Sequence, residues 1–163
     1  MLIVCCTTKL LKRLRVETAT PSVTPAPRLG EWYATILQMR PQHLVLLVNE
    51  PTRLAAVLPA REFGVLGQRI SDAILRVLQD LGVDAGVIDH ERRAMADVTF
   101  AKTASRSVRG TMSEFGFQLE QLRNANPHLP EHALAMNLAR TPVSMPRFGC
   151  QAPADVAKQV LAG

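Results

Sequence analysis

The run HLVLLV, residues 43–48, limits most sharply how this chain can fold. A strand with one wet face alternates apolar and polar residues. This run has no such alternation after its histidine, so it is expected to be a central strand covered on both faces. A second apolar run, LAAVLPA, follows after the turn residues NEPTR. The two runs are expected to form an antiparallel hairpin with NEPTR at its tip.

The remaining segments supply the layers that such a strand needs. LIVCC at residues 2–6 favours a short buried strand. TKLLKRL favours a short helix capped by Thr7 or Thr8, with Leu10, Leu11 and Leu14 on its apolar side. The segment around Trp32 is read as strand in preference to helix. Phe63, Leu66, Ile70, Ile74, Val77 and Leu81 recur every three or four residues, which is a helix stripe. Gly64 and Gly67 weaken its first turns, so the regular part is expected from Ile70, and Gly82 is placed to stop it. VDAGVID is expected to be a further short strand, HERRAMAD a polar turn or short helix, and VTFAKT a strand. PEHALAMNLA and APADVAKQVLA are expected to be helices joined by a loop, TPVSMPRFGCQ. The fold class expected is α+β: a small, mostly antiparallel sheet packed by several helices. The whole chain, 1–163, is taken as one domain, with an exposed proline-rich loop at 18–28 and a helical segment at 128–163.

Composition narrows the function classes. At 47% hydrophobic residues the chain can bury a real core. No apolar run nears the roughly 20 residues that span a membrane, so no membrane partner is expected. MLIVCCTTKLLKRLR has its apolar part before its basic part, the reverse of a secretion signal. That order and three unpatterned cysteines suggest reduced thiols and a cytoplasmic address. The net charge of +5 favours anionic partners, although solubility alone explains it equally well. Aromatics make up only 4%, few for a set of base-stacking platforms.

One stretch carries a chemical signal: KTASRSVRGTMSEFGFQLEQL, residues 102–122. Val108, Met112, Phe115, Leu119 and Leu122 form an ordinary core stripe. Gly110 and Gly116 each cost roughly 1 kcal/mol relative to alanine inside a helix. They are best explained by the close approach of another backbone or a ligand. The head of the helix is unusual. Ser105 or Thr103 can cap it, and its first turn has free N–H groups and a partial positive charge. Acidic residues are favoured there, yet the sequence gathers Lys102, Arg106 and Arg109 among Thr103, Ser105 and Ser107. Together these groups suit a phosphate or carboxylate. The plainer alternative pairs Arg106 with an acidic side chain from the core. The head has no G-x-x-x-x-G-K-[ST] and is not a P-loop.

Other constellations weigh less. His128 and His132 flank Glu131, but Pro127 and Pro130 bracket His128 and no third ligand is visible, so no metal is expected. Cys5 and Cys6 point to opposite faces of a strand and cannot chelate together. KLLKRLR is most simply a solvated helix face. No cofactor motif is present.

Three blocks, CTTKLLKRL, LGEWYATILQMRPQHLVLLVNEPTR and KTASRSVRGTMSEFGFQL, resemble a family of small bacterial proteins catalogued as a domain of unknown function. Its corresponding patterns are C-T-K-K-L-L, L-G-D-W-Y-A-N-L followed by N-[DE]-x-T, and K-T-x-x-R-S-V-L-G-S-M-N-D-F. The residues that match are Cys6, Thr7, Lys9, Trp32, Tyr33, Asn49, Thr52, Lys102, Thr103, Arg106, Ser107, Gly110 and Met112. Thr8 replaces a lysine, Arg109 a frequent leucine, and Ser113-Glu114 an Asn-Asp pair. The resemblance implies that Cys6, Thr7, Lys9, Trp32 and Gly110 support the site at 102–110, and it implies no activity.

The expected function is an anion-, phosphate- or nucleic-acid-binding module that uses this helix head. One alternative is an enzyme acting on a phosphorylated or nucleotide substrate, with Arg106 steadying charge and Cys6, Ser107 or an acid doing the chemistry. Another is a subunit that meets a protein partner through its C-terminal helices.

Overall fold

A computed structural model describes residues 1–16 and 26–163. The chain runs through β1 (Leu2–Cys6), α1 (Thr8–Leu14), β2 (Trp32–Leu37), β3 (Leu44–Asn49) and β4 (Ala55–Pro59). A short 3-10 turn at Phe63–Val65 leads into α2 (Leu66–Asp80), α3 (Ala85–Ala94), β5 (Val98–Lys102) and α4 (Arg106–Ala125). It ends with α5 (Glu131–Arg140), β6 (Val143–Met145), β7 (Gly149–Gln151) and α6 (Pro153–Ala162).

The five-stranded sheet has the order β4-β3-β2-β1-β5. Every residue of β3 is buried, as the uninterrupted apolar run requires. The hairpin to β4 pairs Val48 with Ala55 and Leu44 with Pro59. α4 packs against β2 and β3, while α2 and α5 pack against β4. This is a single α+β domain.

The sheet is mixed rather than mostly antiparallel. β2, β3 and β4 run antiparallel, but β1 lies parallel to β2 on one side and to β5 on the other. Hydrophobic pattern reports which faces of a strand are buried and says nothing of its direction. Pairing of Cys6 with Lys102 joins segments 96 residues apart, with no turn signature to announce it.

Three further expectations change. VDAGVID is not a strand: Asp84 caps α3 by accepting a hydrogen bond from Gly86 N at 3.0 Å, and a helix covers residues 85–94. The segment TPVSMPRFGCQ is not a plain loop, because β6 and β7 form a small antiparallel ladder turned at Gly149, whose φ is +71°. α2 starts at Leu66 rather than near Ile70. Gly67 belongs there because a Cβ would sit 3.3 Å from Val98 Cβ. Of the proline-rich loop, residues 18–25 lie outside the described residues. Pro27 at its end is buried, and Arg28 donates to Leu161 O at 3.0 Å.

The two glycines of α4 differ. A Cβ at Gly116 would lie 3.3 Å from Leu37 Cδ2, so that glycine lets helix and strand approach. A Cβ at Gly110 would meet nothing within 4 Å. Gly110→Ala is therefore expected to raise unfolding free energy by about 1 kcal/mol, and Gly116→Ala to give no such gain. Equal stabilisation of both variants in urea titrations would contradict this packing.

Candidate functional site

The carboxyl ends of the parallel strands β1 and β5 lead into α1 and α4. In open α/β arrangements this is the end of a sheet where polar sites form. α4 begins where expected. Ser105 caps it, accepting from Val108 N at 3.2 Å, and the Ser105 N–H donates to the Tyr33 hydroxyl at 3.0 Å. Burial pushes the Tyr33 phenol above its usual range, so the ring acts as a neutral anchor between β2 and the helix start.

Two clefts flank this start, each about 380 Å³. The first is lined by Thr7, Thr8, Lys9, Thr35, Arg109 and Ser113, with the side of β2 and Met112 as its floor. The Thr7 and Thr35 hydroxyls bond at 3.0 Å. Lys9 and Arg109 are exposed, and among the described residues neither side chain makes a hydrogen bond or an ion pair. No acidic residue lines this cleft.

The second cleft lies against the tip of the β3–β4 hairpin and is lined by Glu50, Pro51, Arg53, Ser105, Ser107, Pro146 and Arg147. Its organiser is Asn49. The Asn49 amide donates to Leu29 O at 2.9 Å and Glu31 O at 3.1 Å, and its oxygen accepts from Thr52 Oγ1 at 2.7 Å. This closes the NEPTR turn and leaves Arg53 in the left-handed region, with φ of 60°. Arg53 is only 3% exposed. Its guanidinium donates to Glu50 O and, at 2.7 Å, to Ser107 Oγ, while its Nε has no partner. Burial lowers the Arg53 pKa, and the nearby Glu50 carboxylate opposes that shift.

The head of α4 thus distributes its residues rather than collecting them. Ser105 and Ser107 face the hairpin cleft, and Arg109 shares the other with Thr7 and Lys9. Arg106 lines neither and is exposed. It has no internal acidic partner among the described residues. The buried arginine that does meet an acid is Arg123, whose Nη2 lies 3.7 Å from Glu131 Oε1. Lys102 and Thr103 line neither cleft, and Lys102 is exposed. Trp32 is wholly buried in the core, and Gly110 is exposed on α4.

Sequence reasoning missed Arg53 and Glu50. NEPTR looked like an ordinary hairpin tip, and only the distance to Ser107 shows that its arginine reaches α4. Among the described residues, no group of three or more His, Cys, Asp or Glu side chains is placed to hold a metal. No helix among them is long and apolar enough to cross a membrane.

Cys5 and Cys6 are held as protonated thiols. Burial pushes the Cys5 thiol up to about 12, aided by the neighbouring Glu31 and Glu50 carboxylates, and burial does the same to Cys6. Cys5 Sγ donates to Glu31 Oε2 at 3.8 Å and Cys6 Sγ to Val4 O at 3.6 Å. Only Cys150 is exposed. A maleimide at neutral pH is expected to label one thiol in the native protein and three after denaturation. Both buried thiols have pKa values raised above 9.0, so unfolded chains lose these protons first. Stability should therefore fall as pH rises from 9 towards 12, as read from denaturation midpoints. Rapid native labelling of all three thiols would contradict this burial.

Fold and site together define an α+β domain with one cation-bearing cleft at the carboxyl ends of β1 and β2 and a second against the β3–β4 hairpin tip. The chain belongs to the family described as "Domain of unknown function (DUF6933)", whose model matches residues 3–156. No curated protein matches it.

Proposed function

We propose that the protein is an anion-binding module, and that its ligand carries phosphate. One observation carries the reading: Lys9 and Arg109, one hundred residues apart, bring two cations, unpaired among the described residues, to one hydroxyl-lined cleft with no acidic side chain. Two like charges so placed repel each other, and a bound anion reverses the sign of that interaction. The Thr8 hydroxyl and one hydroxyl of the Thr7–Thr35 pair add donors suited to phosphate oxygens, while Ser113 donates to Arg109 O at 3.2 Å. The reading keeps the bacterial, cytoplasmic setting that the resemblance and the unpaired cysteines suggested.

Isothermal titration with pyrophosphate at low ionic strength tests it. Lys9→Ala and Arg109→Ala are each expected to weaken binding roughly tenfold or more, since each removes a charge-assisted hydrogen bond of about 1.5–3 kcal/mol. Both side chains are exposed, so the variants should fold as the parent does. Unchanged affinity in the double variant would sink the reading.

A second reading, an enzyme acting on a phosphate ester, rests on the hairpin cleft. There Glu50, Ser107 and the buried Arg53 face one space. On this reading Glu50 transfers the proton and Arg53 stabilises charge. Turnover of an aryl phosphate by the parent, lost about 100-fold or more in Glu50→Gln, is the expected outcome on this reading. A parent protein without turnover of that ester counts against it.

A further inference from the structure

We infer that the phosphate-bearing ligand is a single-stranded nucleic acid lying along the exposed face of α4. This rests on the anion-binding reading of the Lys9–Arg109 cleft and extends it by three independent features. Arg106, Gly110, Ser113 and Phe117 fall at i, i+4, i+7 and i+11, so they form one stripe along the helix. All four are exposed.

Phe117 is the first feature. It is 61% exposed in a chain with only five phenylalanines, and it stands at the centre of the solvent face opposite the buried Val108, Met112, Phe115 and Leu119. Core packing does not account for it. Its ring offers a π-face to a base, and such stacking does not depend on sequence. Gly110 is the second. It weakens the helix, and no protein atom lies within 4 Å of where its Cβ would be. A smooth surface between Arg106 and Phe117 lets a ligand's backbone lie close to the helix. Charge is the third: Arg106 and Arg109 occupy the first turns, Lys9 shares a cleft with Arg109, and Glu114 and Glu120 stand three residues either side of Phe117. Phosphate is favoured at the helix start and disfavoured beside the two carboxylates, so the strand meets the ring through a base, with that nucleotide's own phosphate turned to solvent. From Arg106 to Phe117 the helix rises about 16 Å, room for a strand of several nucleotides.

The test is fluorescence anisotropy with a labelled oligo-deoxythymidine strand of about ten nucleotides, run beside the pyrophosphate titration. The parent is expected to bind the strand with an affinity that falls as salt rises. Phe117→Ala should weaken strand binding about tenfold and leave pyrophosphate affinity unchanged, and Phe117→Trp should restore it. Arg106→Ala should lower the salt-dependence slope by about 0.7. Gly110→Leu should weaken the strand and spare pyrophosphate. Pyrophosphate binding without strand binding, or strand binding indifferent to Phe117, overturns the inference and leaves the anion site standing. Loss of both ligands from the parent removes the anion site itself.

Discussion

Everything in this fold depends on keeping β3 dry on both faces. Six consecutive residues, Leu44 to Asn49, are buried, and the last of them is polar. A run of that kind is stable only in the interior of a sheet covered on both sides. Burying Asn49 without partners would cost on the order of 1–3 kcal/mol, so its amide and oxygen are fully used on Leu29, Glu31 and Thr52. That polar clasp at the end of the driest strand shapes the hairpin tip, and the tip carries Arg53 to the start of α4.

The consequence is a helix start placed between two clefts of different chemistry. One side is cationic and lined by hydroxyls, from Thr7, Thr8, Lys9, Thr35, Arg109 and Ser113. The other combines Arg53 and Arg147 with the carboxylate of Glu50. The contrast follows from topology. α1 emerges from β1 on one side of the α4 start, while the β3–β4 hairpin meets Ser107 on the other. Tyr33 fixes the start between them through its hydroxyl, kept neutral by burial.

Several blocks that look functional in sequence prove to be architecture. Asn49 and Thr52 close a turn, Tyr33 anchors a helix, and Trp32 fills the core. Cys6 is a buried core residue whose thiol burial keeps protonated. The residues near the α4 start that remain for ligand chemistry are exposed ones with no side-chain partner among the described residues: Lys9, Arg106, Arg109 and the ring of Phe117.

Much of this was legible beforehand, for local reasons. The apolar run at 44–48 required a doubly covered strand, the spacing of Val108, Met112, Phe115 and Leu119 required a helix with a buried side, and Ser105 was placed to cap it. Side-chain periodicity and capping are short-range physics, readable from neighbours in sequence. The parallel pairing of β1 with β5, the division of one helix head between two clefts, and the contact of Arg53 with Ser107 were not legible. Each joins residues dozens of positions apart through backbone hydrogen bonds or a single side-chain contact, and neither leaves a periodic trace. The sequence by itself determined the apolar core of β3 and the buried stripe of α4, and narrowed the start of that helix to Ser105 or Thr103. Only the tertiary structure decided which cations face which cleft, because charge placement depends on strand direction and on the turn that leaves Arg53 in a left-handed backbone.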